Sequence, residues 1–279
     1  MVSGTKILHS VNAAFRFIDD FTGKPLKEQP FIFFVRGKRL SPVRKPEGLY
    51  ILTDIAGSGN NSLMISSPGY CDFSVPDLSG IGRENPVLTV RLKPGTDYPL
   101  KKGCTAFSAC FTGRGGSGIR GLVVRLHAPY LKGGIRFKGL QETGQTCRIS
   151  LTNPNGLDYT GLTLALAAEG RAEAPFVFTL LRRLDGASYE IRERPVAEIA
   201  PSSPARRVYS SETDASGRVL IPVFPDGEGG EALLEADLYV SDGFSSCSRR
   251  IRLREGLVSN FNGIFPPPVS EDPAQVINI

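Results

Sequence analysis

The sequence has no tryptophan, only two methionines, and only two histidines, His9 and His127. A zinc site needs about four close ligands, and two histidines without any C-x-x-C spacing do not supply them. The five cysteines (Cys71, Cys104, Cys110, Cys147 and Cys247) are odd in number and widely spread. They predict free, mostly buried thiols instead of a disulfide framework, with Cys104 and Cys110 as the one pair spaced for a bridge. Long apolar runs are also missing. A stretch such as 31–35 (FIFFV) is far short of the about 20 residues that span a bilayer as a helix, so no membrane insertion is expected. Within the first 15 residues Lys6 is the sole cation, and no apolar core of about seven residues follows it, so a signal peptide is not expected. Neither terminus reads as a lipidation signal. The expectation is synthesis in the cytoplasm, with a place inside an assembled particle left open.

What the chain does have is turn chemistry. Glycine (31) and proline (21) together make about a fifth of its 279 residues, against about 12% in ordinary usage. No collagen period accompanies them, so they punctuate many short strands. Apolar content of 41% and charged content of 22% are ordinary for a globular protein. A net charge of +5 and a pI of about 9.0 permit an anionic partner without demanding one.

Alternation sets the elements. Val11, Ala13, Phe15 and Phe17 share one side of a strand that ends in the turn signal Asp19-Asp20-Phe21-Thr22-Gly23. The apolar run 31–35 predicts a central strand covered on both faces. The stretch 45–55 (KPEGLYILTDI) predicts a Pro-Glu-Gly turn that launches a strand with Leu49, Ile51, Thr53 and Ile55 on its packed face. Leu63 and Ile65, then Leu88, Val90 and Leu92, continue the pattern to Pro94-Gly95. Beyond residue 96 further short strands follow. Residues 160–173 are two-sided: Leu162, Leu164 and Leu166 alternate, whereas Ala165, Ala167 and Ala168 favour helix.

The order strand, "DDFTGKPL", strand, "KPEGLY", strand, "SSPGY", strand resembles the carboxypeptidase-regulatory-like (prealbumin-like) β-sandwich module. Asp19/Asp20 to Leu26, Gly48 with Tyr50, and Gly69-Tyr70 carry the resemblance, which covers about the first 95 residues. It implies a sandwich and no catalytic activity. By family habit it also implies an accessory role, including in phage-tail and contractile-injection components. A second, similar unit is expected later: "SSETDASGRVLIPV" (210–223) echoes "RKPEGLYILTDI" (44–55), and "LYVSDGF" (238–244) echoes "MISSPGY" (64–70).

Residues 113–118 (GRGGSG) fit G-x-G-x-x-G formally, but the following "IRGLVVRLHA" reads as strand. The dinucleotide motif needs a helix there, so a loop is expected, with Arg114 and Arg120 at its ends as contact residues. Adjacent Asp19 and Asp20 suit turn capping better than the facing carboxylates of a glycosidase. On a strand, Arg250, Arg252 and Arg254 form a stripe opposite Ile251 and Leu253. Such a stripe suits an anionic polymer, an acidic protein or plain solvent, and it lacks the interleaved aromatics of a nucleic-acid groove. Val276, Ile277 and Ile279 lie in a tail that suits strand addition to a neighbouring sheet edge.

The expectation is therefore an all-β protein of two or three immunoglobulin-like or prealbumin-like β-sandwich domains in tandem. Residues 1–95 form the first, 96–265 hold one or two more, and 266–279 are a proline-led tail. The expected role is a non-catalytic structural or adaptor protein that binds other subunits of an assembly. A baseplate, cap or tail accessory of a phage-like contractile injection system is its most specific form. No cofactor, metal or specific nucleic acid is expected. The alternatives are a glycan- or surface-binding module using Tyr130, Tyr159 and Tyr189, and an enzyme with an unusual site at His127.

Overall fold

The computed structural model describes residues 10–55, 61–78, 87–128, 134–152, 158–168, 171–195, 198–224, 232–266 and 277–278. It is all-β, and the backbone divides into two compact units, Met1–Pro99 and Leu100–Ile279.

The first unit holds β1 (Val11–Asp19), β2 (Ile32–Val35), β3 (Lys38–Leu40), β4 (Val43–Arg44), β5 (Leu49–Thr53), β6 (Leu63–Ser66), β7 (Phe73–Val75) and β8 (Val87–Leu92). They form two sheets, β4-β5-β1-β8 and β3-β2-β6-β7. Ala13, Phe15 and Phe17 of β1 enter the core with Phe33, Leu52, Leu63, Ile65 and Leu92. Rings pack edge-on and offset, with Phe17 centred 4.1 Å from Phe31 and 5.6 Å from Tyr50. Each fully buried apolar side chain of this size contributes about 1.5–3 kcal/mol.

Two sequence expectations fail here. The inward face of β5 carries Tyr50 and Leu52, while Leu49 and Ile51 are half-buried on the other side. The pattern L-Y-I-L is apolar on both faces, so periodicity alone does not orient it; the register Phe15↔Tyr50 against β1 does. Likewise β2 buries one face, Phe33 and Val35, and half-exposes Ile32 and Phe34, because a two-sheet sandwich covers each strand on one side only.

The second unit holds β9 (Thr105–Thr112), β10 (Val123–Ala128), β11 (Ile135–Thr143), β12 (Thr146–Leu151), β13 (Thr163–Ala168), β14 (Arg171–Thr179), β15 (Arg182–Arg183) and β16 (Ser188–Ile191). They are followed by β17 (Pro204–Glu212), β18 (Arg218–Phe224), β19 (Leu233–Ser241), β20 (Ser246–Arg254), β21 (Val258–Ile264) and β22 (Ile277–Asn278). The doubtful segment 160–173 holds no helix where described: it turns at 160–161 and is strand over 163–168 and 171–173. Leu164 and Leu166 sit fully buried between β14 and β17, and that burial outweighs the small helix preference of alanine.

This unit has two hydrophobic cores. One lies between β18-β9-β21 and β17-β10-β19-β20. The other is built by β11–β16, a segment inserted between β10 and β17, around Ile149, Leu164, Phe178 and Tyr189. Strand β17 serves both: Ala205 packs in the inserted core and Tyr209 in the sandwich.

With the insertion set aside, the two units share one topology. In the first, β1 pairs antiparallel with β5 and parallel with β8; in the second, β9 pairs antiparallel with β18 and parallel with β21. The facing sheets run β3-β2-β6-β7 and β17-β10-β19-β20, with every neighbour antiparallel. The echoed turns are built alike. Lys45 N–H donates to Leu49 O and Gly48 N–H to Lys45 O; Asp214 N–H donates to Arg218 O and Gly217 N–H to Asp214 O. Gly48 and Gly217 have φ of 77° and 78°, a region that favours glycine.

Candidate interaction site

One end of the second sandwich gathers the loop after β9, the β17–β18 turn, the β19–β20 turn and the exit of β21. The registers Val123↔Glu212, Val123↔Ser241, Ser241↔Ser246 and Thr112↔Ile264 align these ends.

The glycine-rich stretch 113–121 is a fastened turn. Thr112 bridges to Gly118, and the N–H groups of Gly113 and Gly116 donate to Ser117 O and Gly113 O, both at 2.9 Å. Thr213 staples it to the body: its Oγ1 accepts from Leu122 N–H at 2.9 Å and donates to Ile119 O at 2.6 Å. Gly118 lies so close to the β17–β18 turn that a Cβ there would stand 2.2 Å from the Ser216 carbonyl oxygen. Strand β10 follows, where a dinucleotide loop requires a helix. Arg114 and Arg120 are exposed at the ends of this turn.

Beside it, the β19–β20 turn displays Phe244, which is 100% exposed. The turn is held from within. Asp242 Oδ1 accepts the N–H groups of Phe244 (2.8 Å) and Ser245 (2.6 Å), and Ser241 Oγ accepts Gly243 N–H at 3.0 Å. Those backbone donors, from Ser245 and then Phe244, hold the Asp242 carboxyl below the usual carboxylate range, so the cap stays charged.

The sequence echo pairs Phe244 with Tyr70, and the two residues behave in opposite ways. Tyr70 packs on the core of the first unit and donates its hydroxyl to Asp19 Oδ2 at 3.2 Å. Tyr98 donates to the same oxygen at 2.6 Å, while Asp19 Oδ1 accepts Phe21 N–H at 2.8 Å and Thr22 N–H at 3.2 Å. Asp19 is thus a turn cap, as the sequence predicts. In the second sandwich the strand corresponding to β1 ends in Thr112, which has no carboxylate, and phenylalanine has no hydroxyl to donate. The clamp is gone and the ring points to solvent. The sequence reading passed over Phe244; the "G-F" in place of "G-Y", without a matching aspartate, was the available signal.

Between β20 and the end of β21 lies a groove of about 270 Å³, lined by Phe111, Val240, Phe261 and Phe265 with Cys247 and Arg249. Burial pushes the Cys247 thiol up. Ile264, next to the groove, is exposed.

The arginine stripe is where the alternation sets it: Ile251 and Leu253 are fully buried, and Arg250, Arg252 and Arg254 lie on the outer face. Two of these cations meet acids on β19. Arg250 lies 3.4 Å from Asp237, which Arg206 also approaches at 2.7 Å, and Arg252 lies 3.1 Å from Glu235. The stripe is therefore part of a charge lattice, each exposed pair worth about 0–1 kcal/mol. His127 is 4% exposed in the same sheet, its ring 4.4 Å from that of Tyr239. Burial lowers its pKa to about 4, with Asp237 opposing and Arg125 and Arg206 adding to the shift.

Two residues of the tail meet the stripe's strand. Strand β22 pairs in parallel with β20, Ile277 beside Ile251 and Asn278 beside Arg252. Val276 and Ile279 fall outside the described residues, as does Tyr130. Tyr159 and Tyr189 are corrected: both are 0% exposed and stack inside the inserted core, centroids 6.2 Å apart, so neither forms a surface platform. None of the five cysteines is in a disulfide. Among the described residues, no three His, Cys, Asp or Glu side chains are grouped to hold a metal ion, and no helix is long and apolar enough to cross a membrane.

Comparison with known protein families finds no family that matches this chain, and comparison with curated proteins finds no matching relative.

Proposed function

We propose that the chain is a non-catalytic adaptor that binds another protein subunit end-on, through the end of the second sandwich that carries Phe244. The observation that supports this is a fully exposed phenylalanine on a turn that three side-chain-to-backbone hydrogen bonds hold in place. A free apolar ring on a pre-organised turn loses little conformational freedom when a partner buries it. It gains about 1.5–3 kcal/mol in doing so. Arg114, Arg120 and the exposed Ile264 belong to the same end of the sandwich by register, and aromatic and arginine side chains are the ones enriched at interface centres.

The partner this surface suits has an apolar pocket ringed by acidic side chains. The resemblance of the first unit to carboxypeptidase-regulatory-like modules, together with the repeated topology, favours an accessory component of a larger assembly. A phage-like contractile injection particle is the specific setting proposed.

The test is native mass spectrometry of the chain purified with the products of its neighbouring genes. The wild type is expected to carry a partner. Phe244→Ala is expected to weaken that complex at least tenfold, which corresponds to about 1.4 kcal/mol, with an unchanged melting temperature. A chain that co-purifies with nothing, or a complex indifferent to Phe244→Ala, overturns the reading.

A further inference from the structure

We propose that residues 36–45 give the first unit a basic edge that takes an acidic, extended segment of another protein as an added strand. This surface lies on a different unit from the Phe244 turn and stands on different observations.

The segment reads RGKRLSPVRK: five cations (Arg36, Lys38, Arg39, Arg44 and Lys45), no acid and no aromatic residue. All five cations are exposed, and among the described residues none of them is in an ion pair. Strands β3 and β4 are edge strands of the two facing sheets. Only Ser41 and Pro42 join them, and so short a link spans no more than about 11 Å, close to the ~10 Å between packed sheets. The two edges, and the cations with them, therefore lie on one side of the sandwich. Arg44 is held in place there: its guanidinium donates to Lys27 O and lies 5.9 Å from the centre of the Tyr50 ring.

Two details point to recognition. The β2–β3 hairpin turns through Arg36 and Gly37, with φ of 50° and 74°. Such a turn favours Asn, Asp or Gly at its first position, and an arginine in the left-handed region is strained. Strain of that kind clusters at ligand-binding positions, and here it puts a cation at the tip. The second detail is the direction of the backbone. Arg36 N–H donates to Ser62 O, so Arg36 and Phe34 turn their polar groups toward β6, whereas Val35 and Phe33 turn theirs toward β3. Arg39 stands opposite Phe34. By the alternation of an antiparallel ladder its N–H and C=O point away from β2. Among the described residues no strand pairs on that side of β3, which leaves Arg39 placed to pair with an incoming strand.

A short edge that bears cations and a proline is also a guard against pairing. That guard acts through charge, so it is selective. It repels a second copy of the same edge and attracts a strand that carries acids. A nucleic acid suits the surface less, because no aromatic residue stands between the cations to stack on bases.

The test uses the full chain and fluorescently labelled peptides at low ionic strength, read by anisotropy. A peptide of four Glu-Thr repeats is expected to bind, and to be released as salt screens the charges. The same peptide methylated at every backbone nitrogen keeps the charge but has no N–H to pair; it is expected to bind at least tenfold more weakly. The variant Arg36→Asn/Lys38→Gln/Arg39→Gln is expected to lose at least tenfold in affinity for the unmethylated peptide. Arg36→Asn alone is expected to weaken binding while its melting temperature stays level or rises, because asparagine suits the turn. Four results each overturn the proposal: no binding by the wild type, equal binding of the two peptides, undiminished binding by the triple variant, or tighter binding of an oligothymidylate of equal charge. The triple variant is expected to keep the Phe244-dependent complex, so the two readings fail independently.

Discussion

At the scale of the residue, the chain handles isolated polar groups by giving them backbone to cap. Asp19, 5% exposed, gathers two N–H groups and two tyrosine hydroxyls, and Asp242 accepts two N–H groups of a turn in solvent. His127 is the residue that departs from this economy, since the pocket that buries it favours its neutral form. Its folded pKa, about 4, is below the ordinary value of about 6.5, so between these two the unfolded chain binds a proton that the fold refuses. The contribution of His127 is then fully present above pH ~6.5 and is lost progressively as pH falls toward ~4. Denaturant unfolding is expected to show wild type losing about 2 kcal/mol more than His127→Gln between pH 7 and pH 5. Parallel pH dependences in the two proteins would remove this account. The charged and titratable groups that face the ring are Asp237, Arg125, Arg206 and Tyr239.

At the scale of the element, the turns are as tightly specified as the strands. Gly118 and Gly115 belong to the same glycine-rich stretch, but only Gly118 approaches other backbone, at the Ser216 carbonyl. Nothing lies within 4 Å of the Cβ position at Gly115. Gly118→Ala is therefore expected to cost about 1–3 kcal/mol or more, as overpacking against backbone does. Gly115→Ala is expected to stay within about 0.5 kcal/mol, the usual range for a surface change. Thermal melts of the two variants side by side check this, and equal melting temperatures would contradict it. The glycine count alone gave no way to tell them apart, because the difference is a distance to residue 216.

At the scale of the whole molecule, the distinctive feature is an insertion that shares a strand with its host. β17 carries Ala205 in the inserted core and Tyr209 in the sandwich core, so the two cores of the second unit are coupled through one backbone. Phe178→Ala, at a fully buried position of the inserted core, is expected to cost about 3–5 kcal/mol. It is also expected to raise amide hydrogen exchange along all of β17. Faster exchange confined to 204–206, with 207–212 still protected, would show that the two cores open independently.

The sequence by itself determined that the chain is all-β, that β1 buries Ala13, Phe15 and Phe17, that Asp19 caps a turn, and that two stretches of the chain repeat one turn-and-strand logic. Alternation and turn chemistry are local properties, so a single sequence exposes them. Only the tertiary structure decided which face of β5 is inward, that β11–β16 are nested within a sandwich, and that Ile277 and Asn278 pair with the arginine-bearing strand. Those depend on register between segments far apart in the chain. The same holds for the candidate site. Arg114, Arg120 and the arginine stripe were legible as charges, while Phe244 looked like another closing aromatic of its repeat. Its exposure follows from a missing partner: where Tyr70 meets Asp19, the corresponding strand of the second sandwich ends in Thr112, and a ring with no hydroxyl is left facing water.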